Sequence, residues 1–447
     1  MKLNKDFFKL VIVLVIPLAL QNLINVGVNS ADVIMLGSVS ETVLSASSLA
    51  NQIQFIMTLI FFGLTSGATV LTAQYWGKKD TVSIEKVLLL ALNFALITSI
   101  IFTFVTFFFP REIMHIFSSE TEVIEEGVKF LRIICFSYIF SSITMVYLNI
   151  MRSLERVVIS TIVYSISLIV NIILNYIFIF GKFGFPSMGI EGSALGTVCA
   201  RFLELIITLI YAYKFNNVVK LRLKNLFKID SLLLKDFVKF SIPVILNELM
   251  WGLGTSANVA ILGQLGSQAA AASSIAQVTR QLATVVTFGV STATSILIGK
   301  AIGANKLETA KDYAKQSILL SIFTGLLGSI SIIILRPIAM STMNLSSEAM
   351  SYLSFMMLVM SYFVLCQAFN TTMIIGIFRA GGDTKFGLFV DVSTMWCCSI
   401  LIGFLGAFVF KWSVPIVYII LLSDEIIKIP LTIYRFKSYI WLNNVTR

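Results

Sequence analysis

Charged side chains are rare in the long apolar stretches of this chain, so the few that occur there are candidates for chemistry. Asp32 lies in the stretch IPLALQNLINVGVNSADVIMLG, residues 16–37. Because an unpaired carboxylate is costly in an apolar medium, we expect it to face the protein interior. There it could bind H⁺ or Na⁺ and release the ion when its access to water changes. The alternative interpretation is a residue at a helix end that contacts water.

Two asparagines form a second polar group. Asn171 and Asn175 lie at i and i+4 in an apolar stretch, which places them on one face of a helix. Their amide oxygens suit Na⁺ coordination or a hydrogen-bonded proton site, and Thr197 in the next apolar stretch could add an oxygen. The alternative is that all three are polar contacts between helices without an ion.

The second half of the chain carries its own buried charges. Glu248 lies in the stretch IPVILNELMWGLGTSANVAILG, and Arg280 lies in the apolar stretch that follows. A Glu248–Arg280 pair would hold helices in register and avoid an isolated charge, whereas the alternative is a direct role of Glu248 in cation binding. Arg201 and Glu204, at i and i+3, are expected to form a local pair. We assign a substrate cavity to Glu248, Arg280, Asn370 and Asp391.

Charged residues also recur in two loops. The motifs NIMRSLERV and GIFRAGGDT align Arg152 with Arg379 at an offset of 227. With Asp383 they suggest a cytoplasmic gate or a phosphate anchor, and a contribution to the charge bias of the loops explains them equally well. Asp391 lies about 12 Å along the helix axis from Asp383, at ~1.5 Å per residue. It is therefore either a second cavity acid or a gate contact.

These residues must be positioned by helices that cross a membrane. The chain has 447 residues, of which 57% are hydrophobic and 13% charged, whereas a soluble chain has about 25% charged residues. Its apolar runs are long enough to cross a hydrocarbon layer of ~30 Å as helices, and they lack the alternation of barrel strands. The sequence predicts an all-α polytopic membrane protein with twelve transmembrane helices, at 8–35, 46–75, 87–109, 129–149, 159–180, 191–213, 237–262, 271–298, 313–335, 350–377, 386–410 and 414–434.

Lysine and arginine are distributed unevenly between the predicted loops. Of the 33, 24 lie on the side of both termini and four on the opposite side. The positive-inside rule therefore predicts cytoplasmic termini for a multi-pass protein of the cell membrane. This topology accounts for the net charge of +10 without a nucleic-acid partner. The basic stretch 214–236 is interpreted as a linker with an amphipathic part on anionic headgroups.

The chain is a duplication. The two stretches that hold Asp32 and Glu248 align without a gap at an offset of 226, with nine of 22 residues identical, and SASSLANQ pairs with AASSIAQV at the same offset. Six helices return each copy to the same side of the membrane, so the copies are parallel repeats. We predict an N-lobe (1–213), the linker (214–236) and a C-lobe (237–447) around a central cavity.

These motifs resemble the multidrug and toxic compound extrusion (MATE) transporters of the MOP superfamily over nearly the whole chain. The resemblance rests on the two IP…G stretches, LNYIFIFGKFGFPSMGIEGSALGTVCAR, FRAGGDTKF and IYRFKSYIWLNN. It implies two six-helix lobes that export organic cations in exchange for H⁺ or Na⁺. Asp32 matches the family's first-helix aspartate and Asn171 its fifth-helix asparagine. Several relatives carry Asp at the position of Asn175, so this chain has one titratable group fewer.

Another branch of the family has an acid near the position of Trp251 and a second acid in helix ten. The tenth predicted helix has no acid here, and Asn370 is the nearest polar substitute. The chain thus departs from the C-lobe Na⁺ site of that branch.

The resulting interpretation is a secondary-active antiporter. It exports organic cations by alternating access of two lobes, with H⁺ or Na⁺ at Asp32, Asn171, Asn175 and Thr197, no other cofactor or metal, and a monomer in the lipid bilayer. The nearest alternative is a flippase of lipid-linked oligosaccharides from the same superfamily, which should present more cavity arginines for pyrophosphate. An enzyme is disfavoured because paired catalytic acids, a metal cluster and a nucleophile with a base are not found, and a receptor would leave the repeat unexplained.

Overall fold

The chain is almost entirely helical. The computed structural model describes residues 5–222, 230–342 and 345–446, and no strand occurs in these ranges. Within a bilayer, backbone N–H and C=O groups must be paired inside their own segment, and a helix does this for an apolar run. The described α-helices are α1 (Lys5–Gly37), α2 (Glu41–Lys78), α3 (Thr81–Phe108), α4 (Pro110–Phe117), α5 (Thr121–Ile134), α6 (Phe136–Ser153), α7 (Val157–Phe180), α8 (Gly189–Ile210), α9 (Ser231–Gln264), α10 (Ser267–Gly303), α11 (Leu307–Thr342), α12 (Ser347–Thr371), α13 (Thr384–Val392), α14 (Leu401–Phe408), α15 (Val414–Leu421) and α16 (Asp424–Lys437).

Three π-helical segments extend or join these helices. They are Tyr211–Phe215 after α8, Thr372–Phe378 after α12, and Ser393–Ile400 between α13 and α14. Each continues the chain path without a loop, so α13 and α14 form one span across the π-helical segment.

The helices coincide with the twelve predicted spans. In the described ranges nine helices are long and apolar enough to cross a membrane, or ten if α5 and α6, bent by 50° at their junction, count as one span. Predicted spans seven and twelve do not meet this test. Asn247 and Glu248 interrupt the apolar run in the sequence of α9, and α15 and α16 have only 8 and 14 residues. The all-α polytopic fold class is confirmed.

Large apolar side chains are exposed along the spans. On α3, for example, Ile97, Ile100, Ile101 and Phe104 are each more than half exposed. Such a row is unfavourable in water but satisfied by lipid chains, as the hydropathy of these segments predicts.

The residue contacts divide the chain into two compact units. The N-unit comprises Leu20–Thr72 and Asp80–Ser241, and the C-unit comprises Met1–Ala19, Ala73–Lys79 and Ile242–Arg447, as far as these ranges are described. α1 and α2 therefore contribute residues to both units. The lobe boundaries drawn from the sequence remain predictions, and residues 223–229 of the predicted linker lie outside the described residues.

Each unit has its own packed helices. In the N-unit α7 packs on α8 and α3 packs on α6, with Tyr138 and Tyr147 fully buried. In the C-unit α10 packs on α11 and α12.

The closing motif of the sequence packs into the C-unit. The Gln74 amide donates to the carbonyls of Ala380, at 2.8 Å, and Asn443, at 3.1 Å, and the Trp441 side chain is fully buried. A Cβ at Gly381 would overlap the carbonyl of Trp441, so glycine is needed at this close approach.

The duplication is also visible in the backbone. Lys79 (φ 61°) and Asn305 (φ 57°) adopt left-handed conformations 226 residues apart, and Glu155 (φ 63°) and Gly382 (φ 79°) do so 227 residues apart. Such conformations are uncommon for residues other than glycine. Their recurrence shows that both copies keep the same turns between helices.

Candidate functional site

The N-unit encloses a polar cavity of about 450 Å³. Asp32 from α1, Asn171 from α7 and Thr197 from α8 line it, together with serine, asparagine and glutamine side chains of α2. In a chain that is 57% hydrophobic, polar groups gathered in one concave site inside the spans mark a candidate ion or substrate pathway.

Asp32 faces this cavity, as predicted. Its Oδ1 accepts a hydrogen bond of 2.6 Å from Nδ2 of Asn175. The same Nδ2 lies 3.4 Å from Oδ1 of Asn171, whose own amide donates to Oγ1 of Thr197 at 3.1 Å. The four residues named from the sequence therefore form one hydrogen-bonded chain across α1, α7 and α8.

One atom of this network lacks a partner. The Asn175 side chain is fully buried, and its Oδ1 makes no hydrogen bond. A buried acceptor without a donor costs free energy, and here it lies on a residue bonded to a carboxylate. The Asp32 carboxylate and the unpaired amide oxygen of Asn175 are both oxygens that suit a cation or a proton-bearing group.

Close packing fixes Asn175 in this place. A Cβ on Gly196 of α8 would overlap the Asn175 amide oxygen, so the close approach of α7 and α8 at this point requires glycine at residue 196.

The one arginine among the described residues in the wall of this cavity is already paired. Five residues after Gly196 on α8, Arg201 donates to Glu204 at 2.7 Å. The predicted local pair is confirmed, and it leaves Asp32 as a cavity carboxylate without an ion-pair partner among the described residues.

The C-unit has a separate cavity of about 250 Å³. Arg280 lines it, with Trp251, Phe363, Gln367 and Tyr418. Of the four residues assigned to a substrate cavity from the sequence, Arg280 is the one that lines this space. Glu248, Asn370 and Asp391 lie instead in buried charge networks nearby.

The pairing expected for Glu248 is wrong. Its Oε1 accepts from Nη2 of Arg379 at 2.7 Å, and both side chains are nearly inaccessible. Arg379 follows the π-helical segment after α12, and its side chain reaches α9 at the level of Glu248. A buried carboxylate and guanidinium neutralise each other here, and Arg280 is left without that partner.

A network centred on Lys428 was missed in the sequence. Its ammonium lies 3.1 Å from Asp391, 2.8 Å from Asp424 and 3.2 Å from Glu425, and the side chain is 4% exposed. The spacing D-E-x-x-K in the last apolar segment was the available signal, because charges inside a span are functional candidates by default.

Two asparagines complete this network. Asn370 donates to Oε2 of Glu425 at 2.7 Å, and Asn247 donates to Asp391 at 2.9 Å. Lys428 thus occupies the position in which a bound cation would meet the three carboxylates.

The predicted gate residues lie in defined contacts. Arg152 donates to the side chains of Gln21, at 2.5 Å, and Ser160, at 3.1 Å. Asp383 accepts two bonds from Arg435, at 2.7 and 3.0 Å. A role of Arg152, Arg379 and Asp383 in gating remains a prediction.

Comparison with known proteins identifies the family. The MatE family model matches residues 17–177 and 243–405, and the two matches start 226 residues apart, which is the offset of the repeat. The chain is 23% identical over 427 residues to the uncharacterized transporter YisQ of Bacillus subtilis, covering 95% of this chain and 93% of that one. It is 24% identical to the probable multidrug resistance protein NorM of Thermotoga maritima, covering 98% and 93%.

Solved structures share the fold. A MATE transporter in the bent conformation superposes with a TM-score of 0.87 at 17% identity, covering 97% of this chain and 96% of that one. A MOP superfamily transporter from Pyrococcus furiosus gives 0.86 at 16% identity and covers 98% of both chains. With the family model matched in both halves, this chain belongs to the MatE family, the multidrug and toxic compound extrusion transporters.

Proposed function

We propose that this chain is a secondary-active exporter of organic cations, driven by H⁺ or Na⁺ that binds at Asp32. The observation that carries the proposal is the Asp32 carboxylate, held by Asn175 in the polar N-unit cavity without a counter-charge. Relatives named as multidrug resistance proteins support the class of substrate. We place the chain in the cell membrane with cytoplasmic termini on the evidence of its lysine and arginine bias, and we propose that it acts as a monomer.

The coupling follows from competition for one charge. A proton on Asp32, or Na⁺ held by Asp32 with the free Oδ1 of Asn175, cancels the charge that attracts an organic cation. Ion binding therefore lowers the affinity for the substrate and favours its release. In an alternating-access cycle the ion and the substrate must prefer different states, because a ligand that is indifferent to the state shifts nothing.

Asn171 and Thr197 carry no charge, and their role in this site is to orient the neighbouring Asn175 amide. The Asn171 amide is committed to Thr197, so its oxygen stays directed at the Asn175 amide. With one carboxylate in the chain of four residues, the site carries a single charge, and one monovalent ion neutralises it.

The alternative flippase would need several unpaired arginines to bind pyrophosphate. Among the described residues that line the two cavities, Arg201 is paired with Glu204, which leaves Arg280 alone. We therefore favour the cation exporter over the flippase.

Transport in proteoliposomes tests the proposal. Ethidium export is measured with Na⁺ and pH gradients imposed separately, on the wild type and on Asp32→Asn. We expect the substitution to abolish ion-driven export while the protein remains folded in size-exclusion chromatography. Glu41→Gln is the matched control, since Glu41 is an exposed acid in the first turn of α2. Strong gradient-driven export by Asp32→Asn would refute the assignment.

A further inference from the structure

The two cavities are built from the same positions of the duplicated sequence. Pairs of residues 226 positions apart line the N-unit cavity and the C-unit cavity, respectively. Among them are Asp32 and Asn258, Asn51 and Gln277, and Gln54 and Arg280. Duplication therefore gave each unit a cavity of common origin, and the differences between them lie in the side chains.

Charge is distributed over these positions in opposite ways. Where the N-unit has the carboxylate of Asp32, the C-unit has the neutral amide of Asn258. Where the N-unit has the neutral Gln54, the C-unit has the guanidinium of Arg280. Over these two pairs of positions, the C-unit cavity lacks the negative group of the N-unit cavity and has a positive group that the N-unit cavity lacks.

The other charged residues in the two walls are already in ion pairs. These pairs are Arg201–Glu204 in the N-unit, and Asp424–Lys428 and Glu425–Lys428 in the C-unit. Among the described residues, the charge without an ion-pair partner is a carboxylate in one cavity and a guanidinium in the other.

The surroundings of Arg280 point to a missing anion. Its side chain is 8% exposed, and its protein acceptors are two neutral amide oxygens, on Gln277 at 3.1 Å and on Gln367 at 3.5 Å. The guanidinium lies 6.0 Å from the centre of the Phe363 ring. A buried guanidinium has five N–H donors. Asp424 and Glu425 line the same cavity but pair with Lys428, so no carboxylate of the described residues pairs with Arg280, and a ligand anion in the cavity would supply that contact.

Two further polar atoms in the same wall lack partners. The hydroxyl of Tyr418 and Oδ1 of Asn258 are buried and make no hydrogen bond, and both residues line the cavity. The hydroxyl can donate to an anion held by Arg280, and the amide oxygen can accept from an ammonium group. The cavity therefore offers both an unpaired hydrogen-bond donor and an unpaired hydrogen-bond acceptor.

We propose that the C-unit cavity binds a compact aromatic zwitterion, with its carboxylate on Arg280 and Tyr418. The aromatic surface of Trp251 and Phe363 would contact the ligand's body, and a volume of about 250 Å³ admits a small molecule rather than a large drug. That this ligand is also a transported substrate rests on the proposed function, whereas the binding itself does not.

The acids in the wall select against other anions. Lys428 faces three carboxylates, which leaves the cluster with a formal charge of −2, from three negative groups and one positive group. Asp424 and Glu425 of this cluster line the cavity. They repel a doubly charged phosphate and attract an ammonium group, so a ligand with one carboxylate and one amine fits both walls.

Calorimetry with three matched probes tests this binding on the full-length protein in detergent, without any ion gradient. L-tryptophan carries both charges, L-tryptophanamide lacks the carboxylate, and indole-3-propionate lacks the amine. We expect tryptophan to bind more tightly than either analogue. Arg280→Gln should weaken tryptophan binding by roughly tenfold or more, since a charge-assisted bond is lost, and should not weaken the binding of the cation tryptophanamide.

A second variant and a control separate binding from folding. Tyr418→Phe keeps the ring and removes the hydroxyl, and we expect it to weaken tryptophan alone by a smaller factor. Arg336→Gln makes the same substitution in the same unit outside the cavity, where Arg336 bonds to Ser354, and it should keep the wild-type affinity.

Three results would overturn the proposal. They are no binding of any probe by the wild type, equal weakening of tryptophan and tryptophanamide by Arg280→Gln, and equal binding of tryptophan and indole-3-propionate. Because no transport is measured, such a result would leave the ion-coupling test at Asp32 standing, and the failure of that test would leave this one standing.

Discussion

Replacing Lys428 by methionine should destabilise the protein strongly. The side chain is 4% exposed, and its ammonium is shared by Asp391, Asp424 and Glu425 at 2.8–3.2 Å. Methionine has a similar volume and fills the space, so the change removes the charge with little loss of packing. Asp391 and Glu425 then keep the amide donors of Asn247 and Asn370, whereas Asp424 loses the ammonium that lies 2.8 Å away.

The expected loss follows from this geometry. Breaking a buried ion pair by removing one partner costs about 3–5 kcal/mol, because the other charge is left buried and uncompensated. Here one ammonium serves three carboxylates, so we expect about 5 kcal/mol, the upper end of that range. This corresponds to a shift of about three to four orders of magnitude in the folding equilibrium at ~1.4 kcal/mol per tenfold.

The difference in the free energy of unfolding between Lys428→Met and the wild type is measured by SDS titration in mixed micelles, followed by circular dichroism. Lys311→Met is the matched control, since Lys311 pairs with Glu308 at 2.7 Å at a site where the glutamate is 84% exposed, and we expect no measurable change.

The double variant Lys428→Met/Asp424→Asn should recover part of the loss, because it removes one of the uncompensated charges. Equal stability of Lys428→Met and Lys311→Met, or no recovery in the double variant, would refute the view that Lys428 acts as a fixed internal cation.

Two further substitutions probe the other buried contacts. Gly196→Ala should cost about 1–3 kcal/mol through overpacking and should weaken ion-driven ethidium export, because the new methyl group displaces the Asn175 amide; wild-type export and stability would contradict this packing. Glu248→Ala should destabilise by about 3 kcal/mol or more, since Arg379 loses its carboxylate, and Glu248→Gln should cost less because its oxygen still accepts a hydrogen bond. The same SDS titration measures both variants, and an equal loss in the two would argue against a charge-dependent pair.

Local sequence patterns predicted the parts of the site that lie on one helix. The spacing of Asn171 and Asn175 places them on one face, and the structure joins them to Asp32 and Thr197. The i, i+3 pair of Arg201 and Glu204 was found in the same way. Such contacts follow from helix geometry, which the sequence order specifies.

Partners on different helices were harder to predict. Glu248 was expected to meet Arg280 in the next helix, yet it meets Arg379, which is 131 residues away. Asp391 was considered for a cavity or a gate, and it is bound to Lys428 and Asn247. Hydropathy shows that a charge must be buried, but it does not show which of several buried counter-charges it will reach.

The sequence alone thus determined a duplicated set of apolar helices and the positions of the carboxylates within them. These properties follow from composition, periodicity and the repeat, all of which can be read from the order of residues along the chain. The tertiary structure alone decided which charges were neutralised and which remained free in a cavity. That outcome depends on how distant helices pack, because only a contact of a few ångströms distinguishes a paired charge from an available one.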